Sequence, residues 1–433
     1  MEGFSLKSGM KLGVATAATQ IEGGDRNNSW FDWSLKGKIL DKSSPLRAND
    51  HYVRYREDTA LLKKMGIQIY RFGVEWSRIE PEPGVFDENV LFHYKQELTL
   101  LKEMGIEPLV TLHHFTNPVW FEKLGGFENS DSVKIFLRFV KKVVSYFGDY
   151  ANEYITINEP NVYAVNGYYF GIWPPGKKSF RSVMKVYGNL TTCHIEAYKI
   201  IHRLRKDMEF SGTKVGFAHH MRVFKPENNK NFIHKILTYV LELLFQKSIA
   251  QAFMTGKCIF PVKKIKSLKQ GNYYDFIGLN YYSRSTVSNF GDGVGKNVPV
   301  NDLGWEIYPK GILQCAEKLY KKQPAPIYIT ENGTCDNNDS FRSRYIYEHL
   351  KELCESDLPI QKYYHWCFLD NFEWLEGESA RFGLVHVNYE TQERNIKKSG
   401  EFFSEIIRQN GVTDEMYKKY VAVCSYNINS DSK

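Results

Sequence analysis

Two hydrophobic rhythms alternate along this chain. Short runs of β-branched and aromatic residues recur between longer stretches whose apolar positions repeat every three or four residues. The first rhythm is that of buried strands, the second that of amphipathic helices facing a core. Eight strands are predicted, over 12–18, 67–74, 108–114, 154–158, 214–221, 276–282, 327–330 and 363–369. Helical periodicity covers 53–65, 88–104, 131–147, 183–206, 233–256, 309–322, 341–355 and 399–409. One unit appears twice: Leu61-Leu62-Lys63-Lys64-Met65-Gly66-Ile67 recurs as Leu100-Leu101-Lys102-Glu103-Met104-Gly105-Ile106, 39 residues later. Each copy stops a helix with glycine just past its end and then enters a strand.

Helix–strand alternation without a Gly/Pro/Ser-rich break describes an α/β protein with a parallel sheet. Eight strands in one undivided chain of 433 residues predict a single (β/α)8 TIM barrel over residues 1–433. An open doubly wound sheet is the rival. It opens with a glycine-rich phosphate loop, and no GxGxxG or GxxxxGK[ST] follows any strand here.

Composition narrows the class. With 42% hydrophobic and 25% charged residues, disorder, collagen and a small disulfide scaffold are excluded. The net charge of +7 is mild, and no module for nucleic acid is recognisable. The densest basic stretch, Lys263, Lys264, Lys266 and Lys269, reads as a solvated helix face. Seven cysteines without a CxxC pair are neither a disulfide framework nor a zinc site, which fits a reducing compartment. Residues 1–20 lack a signal-peptide pattern, and the most apolar window, 232–245, is broken by His234, Lys235 and Glu242. A soluble cytoplasmic protein that contacts no membrane is expected.

In a TIM barrel the site lies at the C-terminal ends of the strands. Those ends carry Gln20 and Glu22; Arg71 with Glu75-Trp76; His113-His114; Asn158-Glu159; Asn280-Tyr281-Tyr282; Glu331-Asn332-Gly333; and Trp366 followed by Asp370-Asn371-Phe372-Glu373-Trp374. Amides, carboxylates, an imidazole and indoles on one rim suit a ligand with many hydroxyls and flat apolar faces, a sugar. Glu159 and Glu331 end strands four and seven, 172 residues apart in sequence but able to face each other across the mouth. Two carboxyls flanking a bond are what glycoside hydrolysis needs. Neighbouring residues on a strand point to opposite faces, so only one of His113 and His114 can face inward. No HxH or HExxH accompanies them, so no metal is expected. His219-His220 is subject to the same limit and reads as structural.

At these residues the sequence resembles glycoside hydrolase family 1, the retaining β-glucosidase family. The resemblance runs through Ala15-Thr16-Ala17-Ala18-Thr19-Gln20-Ile21-Glu22-Gly23, Tyr70-Arg71-Phe72, Glu75-Trp76-Ser77-Arg78-Ile79 and Thr111-Leu112-His113-His114-Phe115. It continues in Thr156-Ile157-Asn158-Glu159-Pro160-Asn161, Tyr328-Ile329-Thr330-Glu331-Asn332-Gly333 and Leu369-Asp370-Asn371-Phe372-Glu373-Trp374, then Arg381-Phe382-Gly383-Leu384-Val385. It implies Glu331 as nucleophile and Glu159 as acid/base. Gln20, His114, Asn158, Glu373 and Trp374 would bind the glycone hydroxyls, with Trp366 as stacking platform. Arg71, Asn280 and Tyr282 would surround the nucleophile, and Trp305 would line the aglycone side. The implied partner is a small β-glycoside or oligosaccharide, with no cofactor. Thr19, Thr116-Asn117 and Phe127 depart from the commonest pattern, at positions that bear on substrate preference rather than on the reaction.

The chemistry fits these roles. Arg71 would keep Glu331 ionised and Tyr282 could donate to it. Glu159 must start protonated, its pKa raised by burial and by the charge of Glu331, and becomes a base once Glu331 is esterified. Two other readings compete. A 6-phospho-β-glycosidase needs a basic or hydroxyl-rich cradle for the phosphate after strand eight, where Glu373 would repel phosphate and Arg381 is the one nearby cation. A catalytically silent sugar-binding barrel would not need both carboxyls with their Arg and Tyr partners.

Overall fold

Strands buried on both faces cannot leave an edge in water, and here they close on themselves. In this computed structural model, which describes residues 2–429 except 264, 266 and 267, the barrel strands are β1 (Lys11–Ala15), β2 (Ile69–Gly73), β3 (Glu107–Thr111), β4 (Glu153–Asn158), β5 (Lys214–Pro226), β6 (Ile277–Ser288), β7 (Ile327–Asn332) and β8 (Ile360–Trp366). Each pairs parallel with the next, and β8 pairs with β1, so the (β/α)8 barrel is closed. Helices α1 (His51–Lys64), α2 (Glu88–Glu103), α3 (Ser132–Phe147), α4 (Phe180–Asp207), α5 (Phe232–Glu242), α6 (Lys310–Tyr320), α7 (Arg342–Cys354) and α8 (Lys398–Gln409) surround it. α3 shows the logic: Phe136, Phe139, Val140, Val143, Val144 and Phe147 form its buried stripe.

All eight strand expectations land on strands, with shifts at the ends. β3 stops at Thr111, which leaves His113 and His114 in the loop after it. β1 stops at Ala15, and Ala18–Ile21 turns into a short helix carrying Gln20. β5 and β6 run beyond the barrel, where Gly291–Gly293 folds back antiparallel on β6. The repeated Met-Gly-Ile unit behaves as expected, with Gly66 at φ 75° and Gly105 at φ 71°. The stretch 233–256 is helical as expected as far as Thr255, but not as a regular α-helix throughout. A π-helical turn, Leu243–Lys247, separates α5 from Ser248–Thr255. Of the basic stretch, Lys264 and Lys266 lie outside the described residues, and Lys263 and Lys269 lie in irregular chain rather than on a helix. Among the described residues no helix is long and apolar enough to cross a membrane.

Candidate active site

The backbone at both expected carboxylates departs from regular strand. The β4–β5 pairing shifts register between Ile155 and Asn158, and the β7–β6 pairing between Ile329 and Glu331. Such irregularities re-aim side chains at a barrel rim. Glu159 follows directly, with φ 41° and ψ 60°, at the N-cap of the helix Pro160–Val165. A left-handed conformation is costly for a residue with a Cβ, and it persists only where the surroundings hold it. After Glu331 the chain presses against β8: a Cβ on Gly333 would sit 1.7 Å from the Trp366 carbonyl oxygen. That contact explains why glycine ends the Thr-Glu-Asn-Gly run.

Glu159 and Glu331 line one cavity of about 280 Å3, together with His114, Tyr282, Trp305, Trp366, Glu373 and Trp374. Gln20, Arg71, Asn158 and Asn280 stand directly behind these walls. Arg71 Nη1 donates to Glu331 Oε1 at 2.5 Å and Nη2 donates to Asn158 Oδ1 at 2.7 Å. Tyr282 donates to the other Glu331 oxygen at 2.6 Å. Asn280 accepts from Thr330 Oγ1 at 2.6 Å, so its Nδ2 faces Glu159 Oε1 at 2.8 Å and Asn158 Oδ1 at 3.1 Å. All twelve expected site residues therefore belong to one constellation.

Two buried polar atoms of this wall lack a protein partner. Gln20 gives its Nε2 to Phe372 O at 2.8 Å and Glu373 Oε2 at 3.2 Å, leaving Oε1 unpaired. The Asn158 amide donates to His114 Nε2 at 2.9 Å, so the ring proton sits on Nδ1, which is also unpaired. Unpaired buried polar atoms are uncommon and expensive, and here a hydroxyl-bearing ligand would satisfy them. Trp374 lies over His114 at 5.6 Å with an interplanar angle of 28°, and Trp366 also flanks it at 5.6 Å. Trp305 stands at the rim, 38% exposed and edge-on to Tyr282.

Electrostatics sets the proton inventory. Burial pushes Glu331 up to about 7, with the Arg71 guanidinium and the Tyr282 hydrogen bond opposing and the Glu159 charge adding. Burial raises Glu159, while hydrogen bonds from His220 and Asn280 and the Arg71 charge pull it down. Burial and the Glu331 charge, expected to keep Glu159 protonated, are thus opposed in the unliganded site by a donor from β5 that the sequence did not reveal. Glu373 is pushed up to about 8, by burial first and by the Glu331 charge, against hydrogen bonds from Trp366 and Gln20. Burial and the Arg71 charge keep His114 well below the ordinary histidine range, hence neutral.

With this geometry in place, the relatives can be weighed. The model of glycosyl hydrolase family 1 matches residues 5–412. The chain belongs to glycosyl hydrolase family 1. It is an O-glycosyl hydrolase by that membership. Beta-glucosidase A of Thermotoga maritima is 31% identical over 94% of this chain and 98% of its own length. Among solved structures, a beta-glycosidase from Pyrococcus horikoshii superimposes with a TM-score of 0.87 at 34% identity, covering 96% of this chain and 98% of that one. The Thermotoga maritima beta-glucosidase in complex with glucoimidazole gives 0.85 at 29% identity, over 94% and 100%.

Several residues around the family's carboxyl pair read differently in three dimensions. Of the two histidines after β3, His114 lines the cavity, whereas His113 is bound to Asn117 Oδ1 at 3.0 Å and edged by Phe127 at 5.0 Å. Thr19 and Thr116 hydrogen-bond each other at 2.8 Å. The departures from the common pattern thus cluster behind the third-strand loop, outside the carboxyl pair. His219 is structural as read, with Nε2 at 3.0 Å from the Gln246 carbonyl oxygen, but His220 is not: its Nδ1 lies 3.2 Å from Glu159 Oε1. The alternation rule allowed one inward histidine and named no partner for it. Arg381 is engaged by Asp370 Oδ2 at 3.4 Å and the Val387 carbonyl oxygen at 2.8 Å. A larger cleft of about 910 Å3, beside α6 on the outside of the barrel, is lined largely by lysine and amide side chains and holds no pair of facing carboxyls. Among the described residues no group of three or more His, Cys, Asp or Glu is placed to hold a metal ion.

Proposed function

We propose that this protein is a retaining β-glucosidase that removes terminal, non-reducing β-D-glucosyl residues, with the whole chain acting as one catalytic unit in the cytoplasm. The observation that carries this reading is the pair Glu159 and Glu331 in one cavity, each with its own set of donors. Glu331 is the nucleophile, because Arg71 and Tyr282 compensate the anion that attacks the anomeric carbon. Glu159 is the acid/base. With substrate bound, the one proton shared by the pair lies on Glu159 and is given to the departing oxygen, while Glu331 forms the covalent glycosyl bond. Esterification removes the Glu331 charge, and the Glu159 carboxylate then takes a proton from the incoming water. Attack from the same face retains configuration.

Gln20, His114, Asn158, Glu373 and Trp374 bind the glycone, with Trp366 beneath it and Trp305 on the aglycone side. The free Gln20 Oε1 and His114 Nδ1 match a donor and an acceptor on adjacent hydroxyls. A 6-phosphate is disfavoured, for a reason other than repulsion by Glu373. That carboxyl holds its proton near neutrality. What is lacking among the described residues is a cation: Arg381 and Lys397 are both committed to Asp370, and of the described residues that line the cavity only Arg222, on the Glu159 side, is a lysine or arginine. The relatives named beta-glucosidase support glucose.

Glu159→Ala tests the mechanism. With a dinitrophenyl β-glucoside, whose leaving group needs no proton, glycosylation should stay fast and deglycosylation become slow. Azide should restore turnover and yield the β-glucosyl azide. An α-azide, or no rescue, would assign the acid/base role elsewhere.

A further inference from the structure

The side chains behind Glu159 form a chain of donors whose direction is fixed. Arg222, on β5, points Nε and Nη2 at His220 Nε2, at 3.4 and 3.3 Å. A guanidinium has only N–H groups to offer, so His220 Nε2 must be the lone-pair acceptor. The imidazole proton then sits on Nδ1, and its partner is Glu159 Oε1. A second proton on the ring would set one N–H against another and place two cations in contact.

The chain is rigid at its far end too. Arg222 donates from Nη1 to Ser285 Oγ at 3.2 Å, lies 3.5 Å from Asp292 Oδ2 and covers the Phe245 ring. Its backbone is clamped from both sides by one amide: Gln246 Oε1 accepts from Arg222 N, and Gln246 Nε2 donates to Arg222 O, each at 3.1 Å. Gln246 belongs to the π-helical turn that interrupts the helical pattern of 233–256. Stacking on Tyr282 and an edge contact from Phe245 fix the plane of the His220 ring.

Glu159 Oε1 thus accepts from both Asn280 Nδ2 and His220 Nδ1, whereas Oε2 takes no protein hydrogen bond among the described residues. We propose that His220 is a positioning residue for proton transfer: held by Arg222 as the neutral Nδ1–H tautomer, it occupies Oε1 of Glu159 and leaves Oε2 as the oxygen that exchanges the proton. This rests on Glu159 being the acid/base. In the first step the Oε2–H bond breaks and its proton passes to the leaving oxygen. The new negative charge is met at Oε1 by two N–H groups already in place. In the second step Oε2 takes a proton from water as its oxygen attacks the anomeric carbon and the Glu331 ester bond breaks. The other groups facing Glu159 are Arg71, Tyr282 and Glu331, and none of them donates to Glu159.

Two measurements test this. In wild-type enzyme labelled with 15N-histidine, the neutral His220 ring, assigned by its loss in His220→Asn, should show Nδ1 protonated and Nε2 bare. An Nε2–H tautomer would overturn the proposal. Second, His220→Phe removes the donor and keeps a flat ring. Its turnover of a dinitrophenyl β-glucoside, limited by deglycosylation, should fall roughly 10- to 100-fold, the size expected for a hydrogen bond to a charged group. The alkaline limb of its kcat/KM profile should move to higher pH, because the carboxylate has lost a donor. His220→Asn, which keeps an N–H, should restore both in large part, and it carries the test if the phenylalanine variant does not fold. An unmoved limb and unchanged turnover in a folded variant would reduce His220 to packing. Azide rescue of Glu159→Ala is independent of His220, so failure there would point to the acid/base assignment itself.

Discussion

Both ends of the barrel hold clustered carboxyls, and they are treated in opposite ways. At the base, where the strands begin, Lys362 Nζ lies 2.7 Å from Glu153 Oε2 and 3.2 Å from Glu107 Oε2. Lys11 also pairs with Glu107, and Lys214 lies 3.8 Å from Glu153. Three lysines serve two glutamates, and Glu107 is held below the usual range: burial raises it, and the two lysines more than offset that. At the mouth, the Arg71 guanidinium contacts Glu331 alone, and among the described residues neither Glu159 nor Glu373 has a lysine or arginine at ion-pair distance. There Glu331 and Glu373 are pushed up to about 7 and 8. Compensated carboxyls make a scaffold, and under-compensated ones keep protons that they can trade. The same residue type serves both, and the supply of cations decides which.

The largest expected effect breaks the comparison at the mouth. Glu331→Gln should lower kcat by at least about a thousandfold, since the covalent step is lost. Its urea midpoint should change little, because the mouth is not what holds the barrel closed. Retention of a tenth of wild-type turnover would remove Glu331 from the nucleophile role.

The mirror experiment is Lys362→Met at the base. It leaves Glu153 and Glu107 in a site that is only partly open to water, with their shared cation gone. Roughly 2–4 kcal/mol of stability should be lost in urea unfolding, with kcat on an aryl β-glucoside nearly unchanged. A large loss of kcat without loss of stability would mean that the two ends are coupled through the barrel interior.

The contrast between the ends also shows what the chain revealed before folding. Strand and helix periods placed Glu159 and Glu331 at strand ends, because alternation is a local property. The rule that barrel sites sit at C-terminal ends then put Arg71, Asn280 and Tyr282 on the same rim, and it was the family resemblance that implied they surround the nucleophile. Pairs made across the barrel were not legible. Lys362 meets Glu153 from 209 positions away, and a period says which face a residue takes but not whom it meets there. His220 failed for the same reason: two adjacent histidines look alike until β5 is set beside β4. The π-helical turn went unseen because it inserts a residue into a helix without breaking its apolar pattern. The left-handed backbone of Glu159 had no signal at all, since glycine does not mark it.

A pH experiment sharpens the comparison further. A carboxyl whose folded pKa is raised binds its proton more tightly in the native state, so stability falls as pH rises from the unfolded value towards the folded one. For Glu373 that window runs from about 4.5 to about 8. The wild-type melting temperature should therefore carry a downward contribution between pH 5 and 8. Glu373→Gln should flatten that slope by a few degrees across the range. A slope unchanged by the substitution would show that Glu373 is already ionised in the folded site.

The smallest effect belongs to Glu107→Gln, and it separates two carboxylates within the base itself. The Glu107 side chain is 46% exposed, against 13% for Glu153, although both touch Lys362. Water and salt screen the exposed partner, so its pairs contribute about 0–1 kcal/mol at neutral pH. The sign follows from its lowered pKa: whatever Glu107 contributes is present above the unfolded value of 4.5 and is lost as pH falls through the lower folded value. Wild type and Glu107→Gln should thus differ slightly at pH 7 and converge towards pH 3 in urea unfolding. Added salt at pH 7 should narrow the gap as well, because Lys11 and Glu107 meet at the surface. A loss at pH 7 as large as that of Lys362→Met would mean that Lys362 depends on Glu107 rather than on the less exposed Glu153, and compensation at the base would then rest on the wrong carboxylate.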